Sequence, residues 1–243
     1  MAPIVLSIGT THPWNVAGVG RDLVVGSTKK CRIFTAVAAV SAQNASGVVA
    51  LGAVAPELFE AQLSVLPWES AGAVRVGALP TPASVRAVAE ALAAHPWLPA
   101  VVDPVFAASS GGELADRGAR EALEAELATL SSVILTPNLR EAAALLQLAT
   151  IERSTLADAA ARLRARGTGA VLLTGGHLDG DPADALATTS GVEILSEPRI
   201  AGAMHGTGCT LAMALACELA WGTPLREAVR SARAFVREEI ARH

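Results

Sequence analysis

Tyrosine is absent from this 243-residue chain, and aromatics of all kinds make up only 3% of it. Its core must therefore come from Ala, Val and Leu, in a chain that is 51% hydrophobic. Small aliphatic side chains of this kind suit helices packed closely on a sheet. Lysine is almost as scarce: it occurs only at Lys29 and Lys30, and Arg supplies the remaining fixed positive charge. The net charge is −4 and no basic run or stripe stands out, which argues against a nucleic-acid partner. The three cysteines, Cys31, Cys209 and Cys217, are widely spaced and form no CxxC pair, which argues against a disulfide framework and a zinc site. No apolar run reaches the roughly 18 residues needed to cross a bilayer without an interrupting charge, Gly or Pro. The opening MAPIVLSIGT lacks the basic n-region of a signal peptide and reads as a first strand, so the expected location is cytoplasmic.

What is present is alternation. Short apolar runs at residues 4–9, 47–54, 73–76, 100–103, 133–136 and 170–174 read as strands covered on both faces. A more polar pair at 184–189 and 193–196, split by Ser190-Gly191, reads as an edge hairpin. Helix signals lie between them. Thr81-Pro82 gives an N-cap and a proline at the first helical position, with Val85, Val88, Ala89 and Leu92 at helical spacing. Ser154 and Thr155 open a helix carrying Leu156, Ala160 and Leu163, and Gly167 stops it. Thr223-Pro224 opens the last, with Leu225, Ala228, Ala232 and Val236 on one face. No repeat, low-complexity tract or linker divides the chain. The pattern predicts one α/β domain over residues 1–243, with a mostly parallel sheet between two helical layers.

Five motifs stand out, and four of them, around Asp103, Asn138, Gly175 and Gly206, fall at predicted strand ends or helix starts. His205-Gly206-Thr207-Gly208-Cys209-Thr210 precedes an Ala/Leu-rich helix, whose first amides have no internal partner and suit an anion. A tight turn with a Thr cap and a buried Cys is the plainer reading. Asn138 and Glu141, in Thr136-Pro137-Asn138-Leu139-Arg140-Glu141, share a helix face and offer oxygens to a hydrated Mg²⁺, or else form a capping box. Asp103, ending Val101-Val102-Asp103-Pro104, lies where open α/β sheets bind ligands, or starts a turn. Thr174-Gly175-Gly176-His177 follows a buried strand, and its glycines admit a nucleotide or make a turn. Gln43, with Asp22 upstream on a helix, suits the edge of a heterocycle; both residues also read as ordinary polar positions. In a parallel sheet these strand ends gather at one edge.

In this order and spacing, VVDPV, TPNLREA, LLTGGHL and HGTGCT resemble the hydroxymethylpyrimidine/phosphomethylpyrimidine kinases of thiamine synthesis. Upstream, GTTHPWNVAGVGRDL is similar to their glycine-rich substrate segment, beginning at Gly9, and TAVAAVSAQNASGV to their Gln-containing segment. The resemblance runs from about Pro3 to about Arg237. It implies a ribokinase-like three-layer α/β/α sandwich and transfer of the γ-phosphoryl of MgATP to the hydroxymethyl group of an aminopyrimidine, then to its monophosphate. It further implies that Gly206, Thr207, Gly208 and Cys209 form an anion hole, with Cys209 where the catalytic base stands. Asn138, Thr174, Gly176 and His177 would meet the nucleotide, and Asp103 and Glu141 the metal. Gly9, Asp22 and Gln43 would face the substrate, in a homodimer. A thiol at a helix N-terminus is expected to have a lowered pKa, so a thiolate base stands beside a role for the backbone N–H alone.

The chain departs from the family's pattern in ways that matter. Thr174 and Ser109 stand where the family carries lysines, and Arg140 is the replacement cation expected from sequence. The substrate segment holds Trp14 and Asn15 in place of small residues and is one residue longer. A kinase for a pyridoxine-like alcohol or another pyrimidine, or a pyrimidine-binding homologue with weakened catalysis, is the alternative expectation.

Overall fold

The structure is a computed structural model and describes every residue except Ala45, Ser109, Ser110, Ala203 and His243. Nine strands form one sheet: β1 (Ile4–Thr11), β2 (Arg32–Asn44), β3 (Gly47–Ala53), β4 (Ala73–Val76), β5 (Ala100–Val102), β6 (Val133–Leu135), β7 (Ala170–Leu173), β8 (Ala183–Thr188) and β9 (Gly191–Ser196). Their spatial order is β3-β2-β1-β4-β5-β6-β7-β8-β9. The six from β2 to β7 in that order run parallel; β3 at one side and the β8–β9 hairpin at the other are antiparallel. The edge hairpin stands where the sequence placed it.

Helices cover both faces. α2 (Pro56–Ser64), α3 (Pro82–Ala94), α4 (Arg117–Ala122), α5 (Leu139–Leu146) and α6 (Leu156–Arg164) pack on one side, with Phe59, Val85, Leu92, Ala142 and Leu156 in a single apolar cluster. α1 (Gly18–Thr28), α7 (Thr207–Ala220) and α8 (Leu225–Arg242) cover the other, around Val25, Met213, Leu215 and Val229. The expected three-layer sandwich is present. α7 is buried along most of its length, as a helix of Ala, Leu and Met with apolar residues on every side must be.

The local signals explain the starts and stops. Thr81 accepts from the Ser84 amide while Ser84 Oγ faces the Thr81 amide, so α3 opens with a reciprocal cap behind Pro82. α6 follows one 3₁₀ turn at Arg153–Thr155 and ends before Gly167, whose φ of 121° only glycine adopts readily. One strand has no counterpart in the sequence reading: β2 runs 13 residues. Its Ala-rich TAVAAVSAQN has low intrinsic strand preference, and its pairing between β1 and β3 decides the matter.

The connections leaving β1 and β4 set the position of the site. β1 leads through α1 to β2 on one side, and β4 leads through α3 to β5 on the other. α1 and α3 lie on opposite faces of the sheet. The carboxyl ends of β1 and β4 are adjacent yet their chains part, which opens a crevice there. Two replacements test this layering. Leu172→Ala, in the wholly buried centre of β7, should cost about 3 kcal/mol. Thr81→Ala should cost about 1 kcal/mol. Both are read as a lower denaturant midpoint at unchanged slope.

Candidate active site

Gly9, near the carboxyl end of β1, packs against Gly77, which follows β4: a Cβ at Gly9 would lie 3.4 Å from the Gly77 Cα. Beneath the two glycines lies the guanidinium of Arg75, from the middle of β4, with no exposed surface. Its Nη2 donates to Asp103 Oδ2 at 3.2 Å, and its Nη1 is 3.4 Å from Asp22 Oδ2. Asp22, on α1, also accepts from Ser7 Oγ at 2.7 Å. Asp22 is therefore wholly enclosed, holding Arg75 from below rather than lining open space, and its Oδ1 has no partner.

Asp103 follows β5, and its amide donates to the Val76 carbonyl at 2.8 Å. A Cβ at Gly208 would stand 3.9 Å from Asp103 Oδ2. The glycine-rich start of α7 therefore opens onto the Asp103 carboxylate at the carboxyl edge. Gly206 is the N-cap, with φ of 77°, and a side chain there would overlap the Val16 carbonyl. Gly208 is exposed, while Thr207 and Cys209 are half-buried. The expected lowering of the Cys209 pKa does not occur. Burial pushes the thiol up to about 11, with Asp103 and Asp22 adding and the Arg75 charge and the Gly18 amide opposing. A shift in that direction favours a role for the Cys209 backbone N–H over a thiolate base.

On the other side of Asp103, Asn138 and Glu141 form the capping box of α5. Asn138 Oδ1 accepts from the amides of Arg140 and Glu141 at 2.9 and 3.0 Å, and Glu141 Oε2 accepts from the Asn138 amide at 2.8 Å. The plainer reading of this motif thus holds, and it leaves Asn138 Nδ2 and Glu141 Oε1 outside the box. The acids feel one another. Burial, and then the Asp103 charge, raise Glu141 to about 8; burial raises Asp103 to about 6, with Arg75 opposing and Asp22 adding. Thr174 is tied alongside, its amide donating to the Pro137 carbonyl at 2.9 Å next to Asn138.

A profile of the family described as phosphomethylpyrimidine kinase matches residues 13–243. The chain belongs to that family. It is 37% identical over 236 residues to a hydroxymethylpyrimidine/phosphomethylpyrimidine kinase from Streptomyces coelicolor, covering 96% of this chain and 87% of that one. The crystal structure of the Clostridium difficile phosphomethylpyrimidine kinase superposes with a TM-score of 0.84 at 27% identity, covering 98% and 99% of the two chains. The pyridoxal kinase of Staphylococcus aureus, in complex with AMP-PCP and pyridoxal, gives 0.87 at 26%, covering 98% and 87%. The fold is the ribokinase-like sandwich.

Seen as a phosphomethylpyrimidine kinase, the chain brings Gly9, Asp22, Asp103, Asn138, Glu141, Thr174 and Gly206–Cys209 into one continuous group along the edge. Gln43 lies on the β2–β3 hairpin, where its Oε1 accepts from Ser41 Oγ at 3.4 Å. Gly176 and His177 are exposed in the loop after β7. Gly175 is fixed by packing, because a side chain there would overlap the Ala183 carbonyl, whereas Gly176 has open space. Arg140 is exposed, and Lys29 pairs with Glu218 beyond the far end of α1, so neither supplies the cation sought from sequence. Ser109 lies outside the described residues. Arg75 is the residue that the sequence reading passed over. Its signal was a charge inside the otherwise apolar Ala73-Val74-Arg75-Val76.

The raised acids have a consequence for stability. Glu141 ionises less readily folded than at its ordinary value of 4.5, so its contribution is complete below that value and falls as pH rises towards 8. Glu141→Gln keeps an acceptor for the Asn138 amide. It should gain stability relative to the parent between about pH 5 and about pH 9, read by thermal unfolding without divalent cations.

Proposed function

We propose that this chain transfers the γ-phosphoryl group of ATP to 4-amino-5-hydroxymethyl-2-methylpyrimidine and to its monophosphate, as a step of thiamine synthesis. The observation that carries the reading is the free amide end of α7 opening beside Asp103, with Gly208 exposed between them. Phosphoryl transfer needs positioning and charge stabilisation more than a strong base, and unsatisfied helix amides supply both to a developing anion. Cys209 contributes its backbone N–H; a thiol held near 11 does not act as a thiolate.

The acid group fits a magnesium ion. Asp103 and Glu141 are buried carboxyls, both raised by burial, and the Asp103 charge raises Glu141 further, a charge excess that a divalent cation relieves. Mg²⁺ is held by one or two carboxylates plus waters and phosphate oxygens, and when bound it neutralises charge on the transferred group. Asp103 and Glu141 would hold it, with Asn138 Nδ2 turned to phosphate oxygens. Thr174, Gly176 and His177 would line the nucleotide side, where Gly176 leaves room for close approach. Gly9 and Gln43 are assigned to the substrate; Asp22, wholly enclosed, instead holds Arg75 beneath the site. The reading includes a single domain over residues 1–243, a homodimer, and a cytoplasmic location. Among the described residues no helix is long and apolar enough to cross a membrane.

Mass spectrometry of products from hydroxymethylpyrimidine with MgATP tests the proposal: mono- and diphosphate are expected, and no product would overturn it. Gly208→Asp places a charge where phosphate must go. It should lower kcat at least about 100-fold while leaving pyrimidine binding, measured by calorimetry, in place. Unchanged kcat would remove the anion-hole assignment. A second reading rests on Trp14, which is 59% exposed in the altered substrate segment, and on the likeness to a pyridoxal kinase. In that reading the acceptor is a pyridoxine-like alcohol, and a higher kcat/KM for such an alcohol than for the pyrimidine would establish it.

A further inference from the structure

Arg75 is the largest wholly buried side chain in the protein, and it lies at the floor of the site rather than in the body of the core. Its strand neighbours in register are Ser7 and Val101. It projects to the α1/α7 side, the side of Ala73, while Val74 and Val76 face the other apolar cluster. Room for it is made by glycine: a Cβ on Gly77 would overlap Arg75 Nη1, and one on Gly9 would stand 3.6 Å from the same nitrogen. Burial disfavours its charge, and Asp22, Cys209 and Asp103 more than offset that, so its pKa is raised. Among the described residues its Nε and Nη1 have no hydrogen-bond acceptor, and Nη1 is held by the Asp22 charge at 3.4 Å.

Isolated buried ion pairs are poor stabilisers, since desolvation offsets most of the attraction, and apolar replacements of similar volume often do as well. A guanidinium with unused donors, seated under two glycines, makes a costly structural element. Its location supplies the reason. One arm reaches Asp103, which faces Gly208 in the proposed anion hole, and the other reaches Asp22 behind the substrate segment. It also gives this region a fixed cation in a chain whose two lysines lie elsewhere and whose Thr174 replaces one expected near phosphate.

We propose that Arg75 is a positioning residue for phosphoryl transfer: its buried charge, clamped between Asp22 and Asp103, holds the metal-side carboxylate against the opening of α7 and stabilises the charge that develops there. The proposal rests on the phosphoryl-transfer reading above. It predicts a defect in the transition state, not in the ground state, because the fully enclosed guanidinium does not touch substrate.

The test compares four proteins in steady-state kinetics: the parent, Arg75→Lys, Asp22→Asn, and the double variant Asp22→Asn with Arg75→Gln. The double variant removes both charges together, so that no carboxylate of that pair is left stranded in the core, and thermal unfolding establishes that it is folded. Relative to Asp22→Asn, the double variant should lose about 100-fold in kcat, with KM for ATP and for the pyrimidine within about threefold. Arg75→Lys, which keeps the charge, should stay within about tenfold of the parent. Equal kcat in Asp22→Asn and the double variant would overturn the proposal. So would a rise in pyrimidine KM at constant kcat, which would make Arg75 a binding residue, or a loss in Arg75→Lys as deep as in the double variant. A parent that yields no phosphorylated product defeats the phosphoryl-transfer reading itself, a result distinct from all of these.

Discussion

A guanidinium shut away from water between Asp22 and Asp103 adds a charged link among three parts of this protein that otherwise meet through apolar packing and hydrogen bonds. Asp22 comes from α1, Asp103 from the end of β5, and Arg75 from the strand between β1 and β5. Removing Arg75 leaves two carboxylates without their cation in the interior, which is far costlier than the intact group is favourable. The glycines at 9 and 77 belong to the same arrangement, because the space they leave is the space the guanidinium fills. The place where the two strands' connections part is thereby kept open above and charged below.

Electrostatics around this centre are graded by depth. The Cys209 thiol, half-buried at a helix start, is pushed up because desolvation outweighs the nearby Arg75 cation. Asp103 is raised moderately because Arg75 offsets part of the burial cost, and Glu141, farther from that cation and facing the Asp103 charge, is raised more. A row of acids with unequal proton affinity beside free helix amides suits a group that must accept a cation on one side and an anion on the other.

Much of this was legible in the amino-acid sequence, and the limits have physical causes. Apolar runs without alternation marked the covered parallel strands, and Thr81-Pro82 and Thr223-Pro224 marked helix starts, because those signals are local. Gly206–Cys209, Asp103 and Asn138 were found because strand ends and helix starts gather at one edge of a parallel sheet. Depth was not legible. Spacing places Asp22 on the helix after β1 but does not say that its carboxylate points into the interior. It places Cys209 at a helix start but does not weigh burial against the dipole. Arg75 was missed because a four-residue strand reads as apolar with one exception, and β2 because alanine carries little strand signal until its neighbours are known.

The close seating of Gly206 against the Val16 carbonyl has a consequence for how this chain can diverge. The segment that carries Trp14 and Asn15 and the turn that opens α7 are in backbone contact, with no side chain between them to absorb a shift. An insertion or bulkier residue in that segment therefore displaces the turn that opens α7 as well. On the roles proposed above, acceptor choice and rate are mechanically geared together.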